Sequence, residues 1–351
     1  LWLWFWPFGS GFDLQLAWPL AQVLAIGSRL ACPLVLAFGL LGCWLCFCPL
    51  ACLAVGSSSG CVCILITVRT YHLNVAPPAD KYVFITGCDS GFGNVLAKQL
   101  DKQGIQVLAT CLTEKGAETL KSETSSRLRT VNMNVTDSQS VKSAAEWVTG
   151  IVGDAGLWGL VNNAGYGFVF SPTGWQTKEH FVKVLEINLL GMVDVTLNLL
   201  PLLRKAQGRI VNVSSNAGRL AFIGGGYCLS KFGVEAFSDS LRCRRELRDF
   251  GIKVSIIEPG AFRTGMGVSG PHLQFLEQLW NNLDPETKKS YGEKYYQQYF
   301  QNVACLTSMT SPKLHKVTDC MEHALTAVHP WTRYSVGWDC KLYHLPLSYL
   351  P

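Results

Sequence analysis

From residue 1 to residue 78 apolar positions run almost unbroken; beyond them short apolar runs alternate with amphipathic stretches. The only formal charges in the first part are Asp13, Arg29 and Arg69. None lies between Arg29 and Arg69, and residues 31–55 alone are long enough to cross a bilayer as a helix. The stretch exceeds the apolar region of a signal peptide, and no convincing basic region precedes it. Residues 1–68 therefore read as a hydrophobic membrane anchor or leader, and residues 69–79, with Pro77-Pro78, as a linker.

From residue 80 the pattern predicts strands at 82–86, 106–110, 129–133, 159–162, 209–213, 253–257 and 333–336. Helical periodicity fills most gaps, for example at 94–103, 141–150 and 181–200. Strands separated by helices must be joined by crossovers, which produce a parallel sheet covered on both faces. The expected fold is α/β: a Rossmann-type doubly wound parallel sheet of about seven strands spanning residues 80–351.

Composition adjusts this picture at a few points. Charged residues make up 16% of the chain and hydrophobic ones 48%, the apolar excess lying in the first part. The net charge of +5 comes without a basic run or an aromatic-interleaved basic patch, which argues against a nucleic-acid partner. Seven of the 14 cysteines fall in the leader. Cys43-Trp-Leu-Cys46-Phe-Cys48 has apolar flanks and no second ligand pair, so no metal is expected there. The other seven show no disulfide framework. Two sequons, Asn134-Val-Thr and Asn212-Val-Ser, fall at or in predicted core strands and are expected to stay unmodified. The chain opens on Leu1 and its first methionine is Met133, the pattern expected of a fragment or an unnatural leader.

Candidate chemistry begins where the first strand runs into Gly87-Cys-Asp-Ser-Gly91-Phe-Gly93 and then a helix. Glycines there permit a tight turn and let backbone approach a pyrophosphate at the positive end of the helix. The second strand ends Ala109-Thr110-Cys111-Leu112-Thr113. Neither an acid for ribose hydroxyls nor a clear arginine for a 2′-phosphate occupies the expected place, and Lys115 reads equally as an NADP contact or a solvated loop lysine. Asn162-Asn163-Ala164-Gly165 follows the fourth strand, and paired amides suit holding a strand end and a ribose together.

Tyr227 and Lys231 are four residues apart on one predicted helix, so phenol and ammonium share a face. A neighbouring cation favours the phenolate and brings the tyrosine towards the working range of a general acid or base. Ser214 and Ser215 end the strand just upstream, where a hydroxyl would hold a substrate oxygen beside the phenol. Asn188, within a long apolar helix, is either a satisfied core group or a relay ordering a water beside Lys231.

Together Thr86-Gly-Cys-Asp-Ser-Gly-Phe-Gly93, Asn162-Asn-Ala-Gly165, Asn188, Ser214-Ser215, Tyr227-x-x-x-Lys231 and Pro259-Gly260 with Thr264 resemble a short-chain dehydrogenase/reductase. Gly224-Gly-Gly-Tyr-Cys228, Glu235-Ala-Phe-Ser-Asp-Ser-Leu241, Cys320-Met-Glu-His-Ala-Leu-Thr326 and Arg333-Tyr-Ser-x-Gly-Trp338 look like its branch of retinol dehydrogenases and 17β-hydroxysteroid dehydrogenase type 6. The resemblance implies Tyr227 as general acid/base, Lys231 lowering its pKa and binding ribose, Ser215 rather than Ser214 as the catalytic serine, and Asn188 completing a proton relay. It further implies that Thr86, Gly87, Asp89, Ser90, Gly91, Phe92, Gly93, Asn134, Asn163, Ala164, Gly165, Tyr227, Lys231, Pro259, Gly260 and Thr264 contact the cofactor. That cofactor is expected to be NAD, with NADP left open.

The same resemblance implies oxidation of a retinoid or interconversion of hydroxysteroid and ketosteroid. It also implies an N-terminal anchor in the endoplasmic reticulum membrane, with a homodimer left open. A substrate lid is expected at about 265–306, where Phe275, Trp280, Tyr291, Tyr295, Tyr296, Tyr299 and Phe300 either line a site for a lipophilic alcohol or pack a helical cover. Three features depart from the pattern. Asn134 stands where the family has an aspartate contacting adenine, and Ser240-Leu-Arg-Cys-Arg-Arg-Glu-Leu247 is two residues longer than the family's run. The leader is longer and more cysteine-rich than the branch's anchor, and the chain stops at Pro351 without its apolar extension. The competing reading, which the extra pair and Asn134 would favour, is a non-catalytic lipid- or cofactor-binding protein that retains the fold.

Overall fold

Alternate residues of the first strand face opposite ways, and all are apolar. In the computed structural model, β1 (Tyr82–Ile85) sends Val83 and Ile85 to one side and Phe84 to the other, each at most 1% exposed. The structure describes residues 80–351 except 168–170, 244–246, 265–269, 309 and 351, so the anchor and linker read from residues 1–79 lie outside the described residues.

Seven strands form one parallel sheet in the order β3-β2-β1-β4-β5-β6-β7. The others are β2 (Gln106–Cys111), β3 (Arg129–Asn132), β4 (Gly159–Asn162), β5 (Arg209–Val213), β6 (Lys253–Pro259) and β7 (Arg333–Val336). β6 extends to Pro259, two residues past the sequence expectation, because β7 supplies a partner as far as Pro259 opposite Val336. Successive strands run outward from β1 in one direction and from β4 in the other. The carboxyl ends of these two neighbours therefore flank the crevice where such sheets take ligands.

Helices cover both faces. Val83, Ile85, Val107, Ala109, Val211 and Ile257 pack against α1 (Gly91–Lys102), α2 (Glu114–Ser122) and, further along the chain, α9 (His315–Thr326). Phe84, Leu108, Leu160, Ile210 and Val254 pack against α3 (Ser138–Val152), α4 (Lys178–Ala206) and α5 (Gly226–Cys243). The local sequence starts these helices: Thr113 accepts from the Gly116 amide at α2, and Asp137 from the Gln139 amide at α3.

α4 extends beyond both ends of the predicted 181–200 and contains a π-helical turn at Glu186–Leu190. Among the described residues it is the helix long and apolar enough to span a bilayer. Val184, Val195, Leu199 and Leu203 on it are buried, while Leu190 and Leu197 are exposed.

α5 ends at Cys243, and the extra pair expected near Cys243 falls partly on residues 244–246, outside the described residues. Leu247 is again fully buried and β6 keeps its register against β5. A two-residue insertion turns a continuing helix by about 200°. Tyr227 and Lys231 lie near the start of α5, upstream of the extra pair, with Lys231 Nζ 5.7 Å from the Tyr227 ring centre.

The segment expected to be a lid forms α6 (Gly270–Asn281), α7 (Pro285–Tyr291) and α8 (Glu293–Ser308). Asp284 caps α7 by accepting from the Thr287 amide, and Pro285 follows at the position where its missing N–H costs nothing. Trp175, Leu276, Trp280 and Val303 centre a separate apolar core for these helices, with Tyr291, Tyr296, Tyr299 and Phe300 packed against it. Trp280 and Tyr296 stack with ring centres 4.8 Å apart.

Candidate active site

β1 leaves the sheet at Thr86, and the next residues must turn within the reach of β4. Gly87 and Gly91 take left-handed φ of 71° and 66°, which other residues adopt only under strain. A Cβ on Gly87 would lie 2.8 Å from the Ala164 Cα; one on Gly93 would lie 2.6 Å from the Gly87 carbonyl oxygen and closer still to the Asn163 amide. The Thr86 hydroxyl accepts from the amides of Asn163 (3.0 Å) and Ala164 (2.9 Å), and Asn163 Nδ2 donates to the carbonyls of Thr86 and Gly87. These bonds hold the loops after β1 and β4 together, as the paired amides foreshadowed. Asn162 faces away, donating to Thr196 and Asn212 in the interior. Ser90 precedes α1 without capping it by its side chain, leaving first-turn amides beside the groove that Ser90, Gly91 and Phe92 line.

Gly93→Ala is therefore expected to spread these two loops. Overpacking of this kind costs about 1–3 kcal/mol, read here as a roughly tenfold or greater rise in the Kd for NADH in a fluorescence titration. Unchanged affinity would show that the turn does not form the nucleotide cradle.

At the end of β2 the Asp89 carboxylate accepts from the amides of Leu112 (2.8 Å) and Thr113 (3.0 Å) and from the Thr113 hydroxyl (2.7 Å). Asp89 thus places its charge at the groove wall where the second strand itself offers no acid. Asn134 lies two residues past β3 and is exposed, its Oδ1 accepting from the amide and hydroxyl of Thr136. The core location expected of both sequons holds for Asn212, which is fully buried, and fails for Asn134, because β3 ends earlier than the apolar run.

Tyr227 lies in the first turn of α5, and its hydroxyl bonds that of Ser215. Ser215 Oγ also donates to Asn216 Oδ1 (2.9 Å) and accepts from the Ala217 amide (3.2 Å). Ser214 points the other way, its Oγ 3.4 Å from the Lys231 carbonyl and beside Glu235. Ser215 is the serine brought to the phenol.

Lys231, 6% exposed, donates from Nζ to the Val213 carbonyl at 3.0 Å and sits 5.7 Å from the Tyr227 ring centre. Burial pulls its pKa down to about 8, against the opposing pull of Glu235. The phenol departs from expectation: burial raises its pKa, more than the Ser215 hydrogen bond lowers it. Desolvation of the anion outweighs the help from Ser215.

Asn188 is fully buried in the π turn of α4. Its Nδ2 donates to the Tyr166 carbonyl and the Ser230 hydroxyl, both at 3.0 Å, and its Oδ1 accepts from the Tyr166 amide at 2.6 Å. Its side chain is thus a satisfied core group that ties the loop after β4 to α4 and α5, and the relay reading of Asn188 stays open.

Around Tyr227 and Ser215 lies a cavity lined by Tyr166, Phe222, Ile223, Phe262 and Leu306 and by His272 and His344. Pro259, Gly260 and Thr264 line it too, and it meets the glycine groove at Phe92, Asn163, Gly165 and Thr264. The aromatic residues of 275–300 do not line it; they pack the helical cover, as one of the two readings had it. Phe222, Phe262, His272 and His344 carried no signal in the sequence, because each reaches the cavity from a different connection. His344, from a π-helical turn at Cys340–His344 near the end of the chain, lies 3.1 Å from Asn216 Nδ2 and its ring is 4.5 Å from that of Phe222.

The short chain dehydrogenase family model matches residues 81–271. Retinol dehydrogenase 7 of Rattus norvegicus is 57% identical over 272 residues, covering 78% of this chain and 85% of that protein. The 17-beta-hydroxysteroid dehydrogenase type 6 of Homo sapiens is 55% identical with the same coverage. A crystal structure of a short-chain dehydrogenase from Streptomyces avermitilis, 26% identical, matches with a TM-score of 0.62 over 76% of this chain and 91% of that one. With the family's sheet order, glycine turn and Tyr227–Lys231 spacing all in place, the chain belongs to the short-chain dehydrogenases.

Proposed function

We propose that this chain is a nicotinamide-dependent dehydrogenase interconverting a lipophilic alcohol, a retinoid or a hydroxysteroid, with its carbonyl form. The observation carrying this reading is that Tyr227, Ser215 and Lys231 border one largely apolar cavity continuous with the glycine groove. The relatives named for retinol and hydroxysteroid dehydrogenation support the substrate class.

The turn from Gly87 to Gly93 and the start of α1 fit a dinucleotide pyrophosphate, since the glycines hold the turn tight against Asn163 and Ala164 and the first-turn amides of α1 border the groove. Asn163, Ala164 and Gly165 would border the ribose. When bound, the nucleotide accepts or donates the hydride. Tyr227 gives a proton to the carbonyl oxygen in reduction and removes the hydroxyl proton in oxidation. Ser215 holds that oxygen beside the phenol, and the Lys231 cation offsets the phenolate charge. Asn188 positions the floor of the site through Tyr166 and Ser230. We assign NAD over NADP, because the Asp89 carboxylate on the groove wall would repel a 2′-phosphate. Residues 1–68 would keep the enzyme at the endoplasmic reticulum membrane, into which such alcohols partition.

The test is microsomal expression followed by turnover of all-trans-retinol and a 3α-hydroxysteroid with NAD and with NADP. Oxidation of at least one alcohol, faster with NAD, is expected. Bound cofactor without turnover of either would overturn the assignment and leave a binding protein.

A further inference from the structure

Two stretches outside the reaction centre meet behind Lys231: Glu235-Ala-Phe-Ser-Asp-Ser-Leu241 on α5 and the Arg333 segment of β7. Glu235 stands one helical turn beyond Lys231 on the same face and is 6% exposed. Arg333 Nε lies 3.2 Å from Glu235 Oε2 and 3.3 Å from Glu258 Oε1, and its second guanidinium arm lies 2.6 Å from Asp239. Glu258, fully buried on β6, also takes Arg219 at 3.0 Å and the Ser335 hydroxyl at 2.6 Å. The groups around Glu235 are thus Lys231 and Asp239 on its own helix, Ser214 and Arg219 after β5, Glu258 on β6 and Arg333 on β7. Arg242 closes the rim against Asp239 at 2.9 Å.

We propose that Glu235, clamped by Arg333, is a positioning residue whose buried carboxylate keeps Lys231 charged beside Tyr227. An ammonium taken from water favours losing its proton unless an opposite charge is buried with it. Lys231 bonds a neutral carbonyl at its tip, and Glu235 is the carboxylate that counters its desolvation. Glu235 has its own difficulty: burial and neighbouring Glu258 lift its pKa to about 7, while Ser214, Arg333 and Arg219 pull it back. The clamp from β7 therefore helps decide whether a carboxylate or a neutral acid stands behind the lysine at neutral pH. This explains why a strand far from the substrate carries an arginine joined to three acids on two elements.

The inference rests on the reading of Lys231 given above, and the experiment separates the two. The readout is the pH profile of kcat/KM for alcohol oxidation. Glu235→Gln should move its alkaline limb down by about one pH unit, because Lys231 loses its proton earlier, while Glu235→Asp restores part of the shift. The paired variant Glu235→Gln with Arg333→Met removes one charge of each sign from the interior and guards against a single variant that does not fold. It should show the same displacement. A limb that superimposes on the wild type, or a rate lowered equally at every pH, would overturn the proposal and leave Glu235 a purely structural group. Full activity in Lys231→Ala would instead overturn the underlying assignment of the lysine.

Discussion

Replacing Tyr227 with phenylalanine is expected to lower kcat for alcohol oxidation by about 10²–10⁴-fold, the range of a positioned acid/base group, with the Kd for NADH nearly unchanged. The substitution removes one oxygen. It leaves the ring that borders the cavity and removes the phenol's bond to Ser215. Burial raises the pKa of this phenol, so protonated Tyr227 dominates at neutral pH and suits carbonyl reduction. Oxidation needs the phenolate, and its rate is expected to climb with pH until Lys231 discharges near its pKa of about 8. Reduction should accordingly favour the acid side of that profile. Oxidation that survives in Tyr227→Phe, measured against both alcohols, would sink the mechanism.

Lys231→Met should cost about 10²–10³-fold in kcat/KM, the scale of losing one group that stabilises developing charge, and should also weaken nucleotide binding. Unfolding is not the expected cause. Methionine has a similar length, and Glu235 stays paired with Arg333 when the ammonium is removed. The pH dependence of stability gives a second check. In the fold Lys231 titrates at about 8, below its ordinary value of 10.5, so between these pH values the unfolded chain binds more protons. Wild-type stability therefore gains from this group as pH rises through that window. Below pH 8 the fold carries the full cost of the cation. Lys231→Met should lack that gain in chemical denaturation, and an identical pH dependence in both proteins would place the charge elsewhere.

The competing reading, a binding protein with a disabled centre, leaned on Asn134 and the extra residues near Cys243. Cys243 lies about three turns past Lys231, so the extra residues are downstream of the phenol and ammonium, which stay where the spacing put them. Asn134 lines the groove, and its acceptor serves its own turn. Neither feature disturbs the bonds among Tyr227, Ser215 and Lys231's anchor at Val213.

Several features of this protein were legible in the chain alone. The continuous apolar run from residue 82 marked a buried strand, and strands alternating with helices marked a parallel sheet covered on both faces. The spacing of Gly87, Gly91 and Gly93 determined a turn only glycine can make, and the four-residue step from Tyr227 to Lys231 determined a shared face. Each follows from backbone geometry acting over a few residues. Tertiary structure decided the rest. Ser214 and Ser215 point opposite ways at the end of β5, and only the docking of α5 shows which meets the phenol. Asn188 bonds Tyr166 and Ser230, 22 and 42 residues away. The aromatic run after residue 270 packs on Trp175 instead of lining the cavity, and Glu235 meets Arg333 across 98 residues of chain. Burial also reversed the expected direction of the Tyr227 shift. Desolvation and long-range pairing depend on what the whole fold brings alongside a group, which no local spacing records.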